Sequence, residues 1–234
     1  MEGKSRRDGE SLDHESRTAH CWLDAQKKTL IAQERDAWSR AVFQVEITTV
    51  AAEDVIVIDE SSTNVHLTPR MAWAPCGQRA YGSVPRNTPP NITLIASLTT
   101  SGIGPSLLLE GGVDTAAFVV YIEQVLAPTL RPGQIVLLDN LSVHKNRQVQ
   151  AAIVACGCQL WFLPTYSPDL SPIELAFAKV KELVRQANAR THEALEDAIA
   201  AALDRVTATD ARSFFKHCGY RLTPDWEQLL RTAL

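Results

Sequence analysis

No stretch of about 18 uncharged apolar residues occurs in the sequence, which argues against a membrane-spanning helix. The N-terminus, MEGKSRRDGESLDHES, lacks the apolar core of a secretory signal, so a cytoplasmic protein is expected. Cysteine is scarce and poorly spaced: Cys21, Cys76, Cys156, Cys158 and Cys218 contain no CxxC pair, and an odd number makes a poor disulfide framework. Cys156-Gly-Cys158 has the donors for a soft metal. At the join of an apolar helix and a strand, however, it reads more simply as two small buried residues. Positive charge is also short, with 23 Lys and Arg against 27 Asp and Glu and a net charge of −4. Phosphate binding ordinarily draws on an excess of cations, so this balance weighs against nucleic acid. It does not exclude it, because acids gathered into a metal site are neutralised by the metal. Internal repeats and low-complexity tracts are absent too, leaving one globular unit of ordinary composition with a short N-terminal extension.

Residues 1–50 read as that extension, polar over 1–22 and then helical from about Leu23 to Val45, with Leu30, Trp38, Val42 and Val45 as candidate buried positions. Residues 51–220 read as the domain proper, and 221–234 as a helical tail with a possible helix over Asp225–Ala233. The domain opens with VIVID (Val55–Asp59), a β-branched run suited to a buried strand. A weak strand at Met71–Pro75, a strong one at Ile92–Thr100 and another at Ser106–Leu109 follow, the last after a Gly102–Pro105 turn. Short connections favour antiparallel pairing among them. A helix over Thr115–Leu126 is expected next, begun by Asp114, with Phe118, Ile122 and Leu126 recurring every four residues. Strands at Ile135–Leu138 and Leu160–Leu163 then alternate with helices at Asn146–Ala155 and from Pro172 to about Ala189. Helices over Thr191–Val206 and Thr209–Phe215 complete the pattern. An antiparallel meander running into parallel βαβ units predicts an α/β fold with a mixed sheet flanked by helices.

Three acids stand out. Asp59 closes VIVID and Asp139 closes VLLD, so two buried runs end alike. If the strands are parallel neighbours, both carboxylates emerge at one sheet edge, where they would repel unless a divalent cation sat between them. A turn-forming role is the plainer reading of either Asp taken alone. Glu60 should point to the other face of its strand. Glu174 follows Asp139 after 34 intervening residues and lies in the first turn of the Pro172 helix. Ser171-Pro172-Ile173-Glu174 matches a capping box, which offers a purely structural role. Along that helix Ile173, Phe177, Val180, Val184 and Ala187 form the expected buried stripe. Glu174, Lys181 and Arg185 share a neighbouring face, as an acid above a phosphate track or as a solvated charged surface. All-oxygen ligands select Mg²⁺ or Mn²⁺, and two such ions suit in-line chemistry at phosphorus. Asn140 and His144 follow Asp139 in DNLSVHK; His144 reads equally as a phosphate or water contact and as a capping or surface residue. Asp169, in PTYSPDLSP, reads as a turn or cap residue. Arg70, Arg79, Arg86, Lys145, Arg147, Lys181 and Arg185 are candidate phosphate contacts, each of which also reads as an ordinary surface cation.

The strings VIVIDES, VLLDNLSVHK and FLPTYSPDLSPIELAFAKVK, in that order, resemble the catalytic domain of bacterial insertion-sequence transposases of the mariner superfamily. The resemblance runs from about Lys27 to FFKHCGY at Phe214–Tyr220. It implies a ribonuclease H-like fold built on a sheet of about five strands. It also implies a catalytic Asp-Asp-Glu triad, which falls on Asp59, Asp139 and Glu174 and is expected to bind two Mg²⁺ or Mn²⁺ ions. The implied activity is cleavage at transposon ends followed by attack of the freed 3′-hydroxyl on target DNA, usually at a TA step. The helix-turn-helix modules with which such enzymes read their DNA ends are not expected before Lys27. A homodimer, or pairing with a chain that carries those modules, is therefore expected. Two alternatives stay open: a ribonuclease H-like nuclease without strand transfer, and a non-catalytic regulator that pairs with full-length transposase.

Overall fold

The computed structural model describes residues 31–87 and 89–223. The sheet has five strands: β1 (Val55–Thr63), β2 (Ile92–Thr99), β3 (Gly102–Glu110), β4 (Ile135–Leu138) and β5 (Gln159–Phe162). Their order is β3-β2-β1-β4-β5. β1 pairs antiparallel with β2, and β2 with β3, whereas β1–β4 and β4–β5 are parallel. The helices are α1 (Ala37–Thr49), α2 (Thr115–Val120, continued by a π-helical segment over Tyr121–Leu126), α3 (Arg147–Ala155), α4 (Pro172–Ala187), α5 (His192–Leu203) and α6 (Ala208–His217). This is the expected mixed sheet flanked by helices.

Strand alternation sorts the core onto two faces. Val55 and Val57 of β1 pack with Phe43 and Ile47 of α1, with Phe177, Val180 and Val184 of α4, and with residues of α5 and α6. Ile56 and Ile58 pack on the other face with Phe118, Tyr121, Ile122 and Leu126, and with Val149 and Ile153 of α3. Continuing that alternation, Asp59 falls on the α4 face and Glu60 on the α2 face. No helix of the described residues is long and apolar enough to cross a membrane.

Several expectations are corrected. No strand forms at Met71–Pro75, and Met71 and Trp73 are fully solvated there rather than covered by a neighbour. The Gly102–Pro105 segment is strand and not turn; the chain reverses one step earlier, at Thr100–Ser101, and Gly102 takes the left-handed φ of +127° that follows. Pro105 is tolerated because β3 is an edge strand and the ladder slips register between Ala96 and Leu98. There the Ser97 hydroxyl donates to the Pro105 carbonyl at 3.3 Å. The connector helix begins at Ala37, capped by Asp36, and buries Arg40, Phe43 and Ile47. Trp38 (77% exposed), Val42 and Val45 face outward. Both sets satisfy the helical period, and the pairing of Arg40 with Asp169 (2.7 Å) goes with the buried face. In α4, Ala176 joins the buried stripe and Ala187 is exposed. Leu30, the polar segment 1–22 and the Asp225–Ala233 helix lie outside the described residues. At the far edge of the domain, the Ala52 amide donates to the Arg221 carbonyl at 2.9 Å.

Candidate active site

Asp59 sits within β1, not at its end, because β1 runs on to Thr63 in partnership with β2 and pairs Asp59 with Ala96. The parallel register with β4 matches Val57 to Leu137, so two residues further on Asp59 and Asp139 stand side by side. Asp139 follows the last residue of β4, where the chain leaves the sheet. Glu174 occupies the first turn of α4, the helix that packs across β1. The three acids line one cleft of about 470 Å³, whose other walls include Glu60, Asn140 and the Leu163–Pro168 segment. Tyr166 in that segment has a left-handed backbone, φ 54°, uncommon for a residue with a side chain.

The capping box proposed for Glu174 is not formed. Ser171 stands at the N-cap position, but its side chain makes no capping bond; only its carbonyl accepts from the Glu174 amide, at 3.2 Å. The Glu174 carboxylate is exposed at the cleft.

Among these acids, electrostatics single out Asp59. Burial, joined by repulsion from Glu174, Glu60 and Asp139, pushes the Asp59 carboxyl up to about 7, although the Glu60 amide donates to its Oδ1 at 2.8 Å. Asp139 Oδ1 accepts from the Leu141 amide at 3.0 Å and from His144 Nδ1 at 2.5 Å. His144 Nε2 in turn reaches Glu60 Oε1 at 2.9 Å. Burial alone would lower the His144 pKa, but the hydrogen bonds to Asp139 and Glu60 outweigh it and hold the ring up to about 10, with a carboxylate facing each nitrogen.

Of the sequence candidates, Asp59, Asp139, Glu174 and Asn140 share the cleft. His144 is fully enclosed, which corrects its reading as a phosphate contact or a surface residue: the carboxylates on its two sides draw the ring inward. Lys145 and Arg147 are exposed beside it. Lys181 lies further along α4, in a shallow groove with Ser61 and Thr63. Arg185 is engaged by Glu182 at 3.2 Å. Neither cation lines the acid cleft. Arg70, Arg79 and Arg86 are exposed on the irregular segment between β1 and β2.

Two features were not evident from the sequence. Glu60 joins the site through His144, although the alternation that turns it away from Asp59 is what lets it do so. Asp169 is held by Arg40 (2.7 Å) and Arg35 (2.9 Å). Burial would raise its carboxyl, yet the two guanidiniums keep it below the ordinary carboxylate range. Partners this distant along the chain leave no local signal. Cys158 is buried and Cys156 half-buried, in keeping with a packing role.

The donor chemistry fits a hard divalent cation: three carboxylates face one cleft, and no described hydrogen bond engages Asp59 Oδ2, Asp139 Oδ2 or either oxygen of Glu174. Among the described residues, no three His, Cys, Asp or Glu side chains are already arranged as around a bound ion.

No curated protein is similar enough to the chain in sequence to count as a match. Solved structures are similar in fold. The Mos1 transposase paired-end complex with left transposon end superposes with a TM-score of 0.66 at 14% identity, over 90% of this chain and 67% of that one. The Mos1 mariner paired-end complex with Mn gives 0.64 at 15% identity, over 91% and 67%. The catalytic domain of Mos1 mariner transposase gives 0.53 at 14% identity, over 77% and 83%. The chain thus spans about two thirds of the length of the Mos1 chains in those complexes, and it shares the ribonuclease H-like fold of the Mos1 catalytic domain. The sequence profile of the DDE superfamily endonucleases matches residues 54–196, the stretch that carries all three acids, and the chain belongs to that family.

Proposed function

We propose that the chain is the catalytic part of a transposase, of the kind encoded by bacterial insertion sequences of the mariner superfamily. It would cut DNA at transposon ends and join the freed 3′-hydroxyl to a target duplex. The observation that carries this reading is the convergence of Asp59, Asp139 and Glu174 on one cleft in a DDE endonuclease domain. These residues are assigned as the catalytic acids and as the ligands of two Mg²⁺ or Mn²⁺ ions; the Mos1 paired-end complexes solved with Mn and with Mg support that choice of metal. When bound, such ions supply Lewis-acid activation of an attacking oxygen and charge neutralisation at the leaving one.

The protein's own part is positional. β1 holds Asp59, the end of the adjacent β4 sets Asp139 beside it, α4 brings Glu174 opposite them, and the proline-rich Leu163–Pro168 wall limits the approach of the phosphodiester. Asn140, Lys145 and Arg147 are assigned to DNA contact near the acids. Lys181 and Arg185 are assigned to the backbone of DNA extending along α4, Arg185 after release from Glu182. A homodimer, or pairing with a transposase chain that carries helix-turn-helix modules, is the assembly assigned.

Incubation with supercoiled plasmid and with labelled transposon-end duplexes in Mn²⁺ tests the reading. Nicked plasmid together with end-to-target joined products is expected. Nicking without joining would favour a nuclease that lacks strand transfer. An inert protein that forms mixed oligomers with an active transposase and suppresses it would favour the regulator.

A further inference from the structure

His144 occupies an unusual place for a residue next to a catalytic acid. It has no solvent exposure, and its ring is held on three sides: Asp139 at Nδ1, Glu60 at Nε2, and Phe118 of α2 with ring centroids 4.4 Å apart. Glu60 also touches the other strand acid, since its backbone amide donates to Asp59 Oδ1. The result is a circuit of contacts, open between its ends, that runs Asp59–Glu60–His144–Asp139 and links the two acids through Glu60 and His144.

The circuit answers a mechanical problem. Asp139 lies beyond the end of β4, so the ladder no longer fixes it, and repulsion from Asp59 and Glu174 would turn its carboxylate outward. His144 and the Leu141 amide both bind Oδ1, which fixes the carboxylate's rotation and leaves Oδ2 directed elsewhere. Glu60 and Phe118 fix the imidazole. Hydrogen-bonded supports of this kind commonly set how tightly a carboxylate site holds its ion, and their loss costs 10–100-fold in affinity.

We propose that Glu60 and His144 are positioning residues that hold Asp139 for divalent-metal binding. The inference rests on the assignment of Asp59, Asp139 and Glu174 as metal ligands.

The test is Mn²⁺ affinity of the full chain, read from the electron paramagnetic resonance signal of free Mn²⁺, for the native protein and for His144→Ala, His144→Asn and Glu60→Gln. Circular dichroism of each variant reports folding. His144→Ala is expected to bind Mn²⁺ about 10–100-fold more weakly, with nicking recovered at high Mn²⁺. His144→Asn, whose amide nitrogen can take the place of Nδ1, is expected to regain most of that loss. Glu60→Gln, which keeps an acceptor for Nε2, should stay within about threefold of native. Equal Mn²⁺ affinity in His144→Ala and native protein overturns the proposal. So does a folded His144→Asn that binds as weakly as His144→Ala, since charge and not position would then be the operative property. If His144→Ala does not fold, His144→Asn and Glu60→Ala carry the test: the first near native and the second weakened support it, and a Glu60→Ala of native affinity contradicts it. A native chain that binds no Mn²⁺ would instead defeat the metal-site assignment beneath it.

Discussion

Two helices of this domain begin alike, with a hydroxyl residue at the N-cap and an acid three residues later, and the two acids meet different fates. At the start of α6, Thr207 and Asp210 form a complete capping box: Asp210's amide donates to the Thr207 hydroxyl at 3.2 Å, and Thr207's amide to the Asp210 carboxylate at 2.9 Å. Lys179 adds an ion pair at 2.6 Å. Hydrogen bonds from Lys179 and Thr207 pull the Asp210 carboxyl down to about 2. At the start of α4, Ser171 makes no side-chain cap, and Glu174 turns toward a cleft already holding two acids. An acid satisfied by its own helix and by a lysine is structural. One left without partners among like charges stands ready for a cation that the fold does not itself provide.

The sharpest way to break that contrast is to neutralise each acid. Glu174→Gln should reduce Mn²⁺-dependent nicking to background while leaving the melting temperature nearly unchanged; Asp210→Asn should keep its nicking activity and lose stability. A Glu174→Gln protein with native activity would remove Glu174 from the site. Asp59→Asn should raise the metal-free melting temperature at pH 7, because it relieves a buried, repelled carboxylate. It should also abolish the stabilisation that Mg²⁺ gives the native protein by binding the folded state. A smaller effect concerns acid. The folded pKa of Asp210 lies below its ordinary value of 3.8, so its contribution is complete above about pH 4 and is lost as pH falls toward 2. Across that window stability should fall with decreasing pH more steeply for native protein than for Asp210→Asn, as unfolding midpoints measured at successive pH values would show. Smallest of all is the pair of cap substitutions. Thr207→Ala should cost about 1 kcal/mol, whereas Ser171→Ala should stay within about 0.5 kcal/mol, as denaturant unfolding would register.

The sequence made the architecture readable wherever one residue pattern admitted one solution. VIVID and IVLL could only be buried strands, and Phe118, Ile122 and Leu126 sit where their period places them. It misled where two solutions satisfied the same rule. Trp38–Val42–Val45 and Arg40–Phe43–Ile47 are both helical stripes, and what accompanies the second is Arg40's contact with Asp169, 129 residues away. The Ser171–Glu174 tetrapeptide was ambiguous for a similar reason: local spelling allows a cap, and only the approach of β1 and β4 supplies the competing use. His144 was legible as a residue near chemistry but not as a buried one, because its enclosure depends on Glu60 from another strand and Phe118 from another helix.

Asp59, Asp139 and Glu174 are proposed to form a divalent-metal site that cleaves DNA. Mn²⁺-dependent plasmid nicking by Asp139→Asn, with its fold verified by circular dichroism, tests that claim most directly. The predicted result is a folded protein whose nicking does not rise above background at any Mn²⁺ concentration. A folded Asp139→Asn protein that nicks at the native rate would contradict it.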